Sequence, residues 1–215
     1  MKTILYLGTD PHSYETEGHL IHYPIIKIVP RPAHRIRPYK ELSAFTHIIF
    51  TSKNAVNVFF EHLADLNLSL DQQQLIAIGT VTATHLTMRG YPPQHVAEQE
   101  TQEGVIALLK QLDLKNAFFF LPRSSQARPL LVQFFEDHQI RYAAWDLYDT
   151  VSQKLEVQPD WDQIDEIVFT SPTTVRAFLE NFKKFPEGKK LTPIGPVTEN
   201  ELLISQKMSG KVRSS

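Results

Sequence analysis

Along this 215-residue chain, short apolar runs alternate with longer stretches whose apolar residues recur at helical spacing. That alternation predicts βα units feeding a mainly parallel sheet. Strands are predicted at 3–7, 25–29, 47–51, 75–78, 95–97, 117–121, 142–148, 166–170 and 191–194. Between two of them, residues 54–64 set Val56, Phe59, Phe60 and Leu63 on one helical face. Residues 172–182 do the same with Val175, Phe178, Leu179 and Phe182, and Pro172 suits a first helical turn, where a missing N–H costs nothing.

The pattern also repeats itself. Phe50-Thr51-Ser52, then Val56 and Phe59, returns at the same spacing as Phe169-Thr170-Ser171, then Val175 and Phe178. A second block follows each copy: Ile78-Gly79, Val81-Thr82 and Leu86 in the first, Ile194-Gly195, Val197-Thr198 and Leu202 in the second. Two matched blocks in one order imply a supersecondary unit used twice, in two similar domains able to face each other across a ligand cleft. Two linkers are predicted, a Pro- and Arg-rich one at 30–38 and a polar one at 151–160.

The fold class read from this is α/β, with two flavodoxin-like doubly wound domains joined by a two-stranded linker. The inserted inner domain, residues 38–149, holds five predicted strands. The outer domain is discontinuous, residues 1–33 plus 152–215, and reduced to about four. After its first strand the stretch 10–18 lacks the spacing of a crossover helix, and beyond Leu203 no further apolar strand is visible.

Composition narrows the function classes. With 42% hydrophobic and 21% charged residues the chain can bury ordinary cores, and a net charge of −2 offers no global field to collect nucleic acid. No cysteine is present, which excludes disulfides and thiolate chemistry and suits a reducing cytoplasm. No segment reads as a membrane span or a leader. The nine histidines are scattered, so no metal site is expected. Dinucleotide, P-loop and nucleophile-elbow motifs are missing as well. No self-complementary surface is visible, so a monomer is expected.

The candidate chemistry sits where strands end and helices begin. Thr51, Ser52 and Asn54 in one copy, and Thr170 and Ser171 in the other, bring hydroxyls and unpaired backbone N–H groups together, suited to a carboxylate or phosphate. The same residues could equally be helix caps. Gly79, Thr80 and Thr82, like Gly195, Pro196, Val197 and Thr198, form turns whose glycine lets a ligand approach the backbone, or are merely tight strand-to-helix turns. Arg123 and Ser124 close another strand, where an arginine can clamp a carboxylate or lie solvated at the surface. Tyr148 ends the last inner strand, and its phenol stays protonated at neutral pH and can donate.

Taken together, Phe50-Thr51-Ser52-x-Asn54-Ala55-Val56, Ile78-Gly79-x-x-Thr82, Leu121-Pro122-Arg123-Ser124, Tyr148-x-Thr150, Phe169-Thr170-Ser171 and Ile194-Gly195-Pro196-x-Thr198 resemble the uroporphyrinogen-III synthase family. The resemblance implies cyclisation of hydroxymethylbilane, with loss of water and inversion of the last pyrrole ring, to uroporphyrinogen III in haem biosynthesis. It implies no cofactor, substrate carboxylates held by main-chain amides and hydroxyls, Tyr148 as the proton donor, and a transient partnership with hydroxymethylbilane synthase as supplier. The departures lie in the outer domain, where the helix after the first strand and the customary final strand and helix are missing. Two other readings stand beside it: a non-catalytic hinge-type binder of a tetrapyrrole or other polycarboxylate, and a flavodoxin-like electron carrier.

Overall fold

The structure, a computed structural model, describes residues 1–12 and 14–211. Ser13, inside the irregular 10–18 stretch, and the residues after Lys211 lie outside the described ones, as does that part of the expectation about the chain's last strand. In chain order the elements are β1 (Thr3–Tyr6), β2 (His19–His22), β3 (Ile26–Pro30), β4 (His47–Phe50), α1 (Lys53–Asp65), β5 (Gln74–Ala77), α2 (Thr80–Met88), β6 (His95–Val96) and α3 (Gln102–Leu109). They continue with β7 (Phe118–Ser124), α4 (Leu130–Asp137), β8 (Arg141–Ser152), β9 (Glu166–Phe169), α5 (Pro172–Phe182), β10 (Lys190–Pro193) and α6 (Pro196–Lys211). The chain divides into two units, Met1–Lys27 with Thr150–Ser215, and Ile28–Asp149. Among the described residues no helix is long and apolar enough to cross a membrane.

In the Ile28–Asp149 unit, alternation along the strands sends side chains to two cores. Ile48, Phe50, Leu75, Ala77 and Phe120 share one with Val56, Phe59 and Leu63 of α1 and Leu86 of α2. Ile49, Ile76, Phe119 and Leu121 share the other with Val105 and Leu109 of α3 and Leu131 and Phe135 of α4. Each fully buried phenylalanine is worth on the order of 1.5–3 kcal/mol, so two covered faces make this the robust half of the chain.

The six-stranded sheet runs β3-β8-β7-β4-β5-β6. From β4 to β8 the neighbours are parallel. Counted from β7, the parallel strands follow the flavodoxin order 2-1-3-4-5, permuted in the chain, and the order reverses between β4 and β7. Such a reversal opens a crevice at the carboxyl ends of the strands, where ligands of α/β sheets bind.

Sheet membership departs from the prediction at β3. The 25–29 run is expected in the outer domain, but β3 lies beside β8. It runs antiparallel to it, since Arg31 N–H donates to Leu147 O at 2.8 Å while Gln153 N–H donates to Ile25 O at 2.8 Å. β8 is accordingly longer than the predicted 142–148, because its second half has a partner. The predicted 30–38 linker is also folded, into 3-10 turns at Ala33–Arg35 and Arg37–Ala44. Ile36, Tyr39, Leu42 and Phe45 are all buried. Their every-third spacing is the 3-10 period, obscured in the sequence by the prolines and arginines between them.

In the other unit the sheet runs β10-β9-β1-β2, all parallel. β2 is absent from the predicted strands. His19-Leu20-Ile21-His22 has only two apolar residues, and its pairing to β1, from Thr3↔His19 to Tyr6↔His22, is set by the neighbour rather than by its own pattern. One face carries a full core of Leu5, Leu7, Ile167, Phe169, Val175, Phe178 and Leu202. The opposite face is thin: Ile4, Tyr6 and Val168, with Tyr14 and Leu20 packed against them. No strand follows β10 among the described residues.

Candidate functional site

At the carboxyl edge of the larger sheet, Ser52 is extended (φ −166°) and caps α1, its Oγ accepting from Ala55 N–H at 3.0 Å. The same Oγ lies 2.9 Å from the Tyr148 hydroxyl. Tyr148 reaches it because the β7–β8 register shifts between Arg123 and Ser124, bringing Ser124 opposite Tyr148. Tyr148 is 4% exposed. Burial raises its pKa, against a smaller opposing pull from the Ser52 hydrogen bond. The phenol therefore stays protonated at neutral pH, and its hydrogen bond with Ser52 holds its orientation. Thr51 and Asn54 flank it, half-buried.

Arg123 is not a bare cation. Its Nε donates to Asp146 Oδ1 at 2.9 Å. Asp146 Oδ2 lies 3.6 Å from Arg31 Nη1, and Arg31 grips Asp149 with two bonds of 3.0 and 2.9 Å. That guanidinium draws the Asp149 carboxyl down to about 2. Two arginines and two aspartates thus form a neutral network on β7, β8 and the end of β3. Ser124 Oγ accepts from Gln126 N–H at 3.2 Å. Arg128, in the loop before α4, is held by Glu103 through two 2.8 Å bonds, which keep that carboxyl at about 2.

The Gly79–Thr80 turn opens α2, with Gly79 buried and Thr80 exposed. A carboxylate already sits there: Glu100 Oε1 accepts from Thr80 N–H at 2.8 Å. Thr82, in the first turn of α2, is 4% exposed.

The other unit offers a matching edge. Ser171 caps α5 in a reciprocal box, its Oγ accepting from Thr174 N–H at 3.3 Å while Thr174 Oγ1 accepts from Ser171 N–H at 3.2 Å. Where the first copy has Ala55, the second has Thr174, so the two serines are engaged differently. Gly8, at the end of β1, lies against Thr170: a Cβ there would come within 2.7 Å of Thr170 Cγ2. Gly195 takes φ +82°, a left-handed conformation suited to glycine. Pro196 and Val197 are exposed at the start of α6, and Thr198 is 3% exposed.

The structure thus gathers Thr51, Ser52, Asn54, Gly79, Thr80, Arg123, Ser124 and Tyr148 along one sheet edge and Thr170, Ser171, Gly195, Pro196 and Val197 along the other. Thr82 and Thr198 are buried, at 4% and 3% exposure. Sequence reasoning missed Glu100, Asp146 and Gly8. Gly8 carried a signal, a glycine directly after a strand; the carboxylates did not, because their roles depend on neighbours twenty or more residues away. Each edge has the helix-start N–H groups and hydroxyls that suit anions, and the larger one adds the buried phenol of Tyr148.

Comparison with known proteins gives a concordant picture. The family model described as uroporphyrinogen-III synthase HemD matches residues 14–207. The uroporphyrinogen-III synthase of Chlorobaculum parvum (strain DSM 263 / NCIMB 8327) is 25% identical over 229 residues, covering 99% of this chain and 92% of that protein. The porphyrin biosynthesis protein HemD of Ruminiclostridium josui is 23% identical over 176 residues, 77% of this chain but 35% of that longer protein. In fold, the chain is similar to the uroporphyrinogen-III synthetase of Helicobacter pylori 26695 (TM-score 0.67, 20% identity, 98% and 90% of the two chains). It is also similar to a mutant uroporphyrinogen III synthase of the extreme thermophile Thermus thermophilus (TM-score 0.64, 18% identity, 98% and 90%).

Proposed function

Because the chain belongs to the uroporphyrinogen-III synthase family, we propose that it cyclises hydroxymethylbilane to uroporphyrinogen III, a lyase step of haem biosynthesis. The observation that carries this reading is the family match over residues 14–207, which spans the Ser52–Tyr148 pair and both glycine turns.

The chemistry asks for orientation more than for reactive groups. Hydroxymethylbilane sheds its hydroxyl and closes to the unrearranged isomer unaided, so the protein must hold the last ring so that its substituted α-carbon meets the azafulvene carbon first. Positioning of that kind is a large rate effect in itself. Tyr148, protonated and aimed by Ser52, is the donor that assists the hydroxyl's departure as water. The helix-start N–H groups and hydroxyls near Thr51, Thr80, Thr170 and Ser171 receive acetate and propionate carboxylates. Arg123, with its charge already shared by Asp146, acts as an oriented hydrogen-bond donor rather than as a lone attractor.

Supply by the enzyme that releases hydroxymethylbilane, action as a monomer, and a cytoplasmic setting that suits a chain without cysteine complete the proposal. Purified protein is given freshly made hydroxymethylbilane, the products are oxidised, and the uroporphyrin isomers are separated. Isomer III above the enzyme-free control is the expected result. Isomer I alone from folded protein would leave only binding without turnover.

A further inference from the structure

The two glycine turns of the repeat are not equivalent, and the difference lies in one carboxylate. Gly79 has φ 179°, an extended conformation open to any residue, so backbone geometry does not demand glycine there. Space does. A Cβ at position 79 would lie 2.4 Å from both Cγ and Cδ of Glu100 and 2.7 Å from its Oε1. The missing side chain is what lets the Glu100 carboxylate lie over the backbone and reach Thr80 N–H. In the second copy the corresponding N–H is replaced by Pro196, and nothing lies within 4 Å of a Cβ built on Gly195.

We propose that Glu100 is an affinity-setting residue for the substrate, a carboxylate of the protein's own that occupies the Gly79–Thr80 turn and must swing out before a substrate carboxylate can enter. This rests on the function proposed above and adds to it. Glu100 is exposed, on the segment between β6 and α3, so its displacement disturbs no core. Two carboxylates cannot share one N–H donor, and their like charges repel. Apparent affinity is then reduced by the fraction of molecules whose turn is free of Glu100. The alternative role is simple capping: Gly79 supplies no side-chain cap to α2, and Glu100 satisfies one of its orphan N–H groups.

Glu100→Gln keeps an acceptor for Thr80 N–H and removes the charge; Glu100→Ala removes both. The full chain and both variants are compared by KM for isomer III formation, by binding of uroporphyrin III through quenching of tryptophan fluorescence, and by thermal melting. The expected result is a KM and a uroporphyrin Kd lowered about three- to tenfold in both variants, the scale of one lost charge contact. Unchanged or raised values in both variants overturn the proposal and leave Glu100 as the cap of α2, with a lower melting temperature in Glu100→Ala. Tighter uroporphyrin binding in a protein that forms no isomer III would overturn the activity instead and leave the role of Glu100 standing.

Discussion

The Oγ of Ser52 and the phenolic oxygen of Tyr148 are 96 residues apart in sequence and 2.9 Å apart in space. One pins the other: Ser52 is itself held by Ala55 N–H, and β8 is locked to β7 on the far side. Tyr148→Phe is expected to lower kcat for isomer III by about 10²-fold, the scale of a lost general acid, with folding intact. Ser52→Ala is expected to lower kcat about tenfold, raise the Tyr148 pKa in an ultraviolet difference titration, and cost about 1 kcal/mol for the lost helix cap. Ser52→Thr should restore most of the rate. Wild-type kcat in Tyr148→Phe would remove the phenol from the mechanism.

Glu103 and Arg128 tie the start of α3 to the loop before α4. The guanidinium holds the Glu103 carboxyl at about 2, well below the usual carboxylate range. A depressed carboxyl contributes stability that is present above the unfolded-state value and is lost as pH falls through the folded one. Melting curves of wild type and Glu103→Gln should therefore differ at pH 7 and converge between about pH 4 and pH 2. A difference that persists undiminished at about pH 2 would assign the effect to packing.

His62 is 3% exposed and shares a 3.1 Å hydrogen bond with the Tyr39 hydroxyl, fastening the 3-10 segment to α1. Burial lowers the His62 pKa from its ordinary value of 6.5. The unfolded chain then binds the proton more readily, so stability is full above about pH 6.5 and declines as pH drops towards the folded value. His62→Gln should flatten that decline in denaturant titrations run from about pH 8 to about pH 5. An unaltered slope would place the sensitivity at another group.

Gly104 lies in the first turn of α3, where propensity alone favours alanine by about 1 kcal/mol. The geometry reverses the sign: a Cβ at 104 would sit 2.1 Å from Gln99 O, a backbone atom. Gly104→Ala is expected to destabilise by about 1–3 kcal/mol, the usual cost of overpacking. Denaturant midpoints at constant m-value decide it, and a more stable variant would mean that the 98–101 turn yields freely.

By itself the sequence determined what short-range periodicity can carry. Helix α5 was legible at both ends, and so were the strands around the larger sheet's core, because Val56, Phe59, Val175 and Phe178 advertise one-sided burial within a dozen residues of each strand. The duplicated Thr-Ser and glycine turns were legible for the same reason, and with Tyr148 they pointed to the family. Tertiary structure alone decided β2, whose hydrogen bonds come from β1, and the place of β3, which depends on β8 more than a hundred residues away. It also decided what each candidate group is bonded to: Ser52 to Tyr148, Arg123 to Asp146, Thr80 to Glu100. Backbone periodicity is set by neighbours along the chain, whereas the partner of a polar side chain is set by whichever distant strand end the fold brings within about 3 Å.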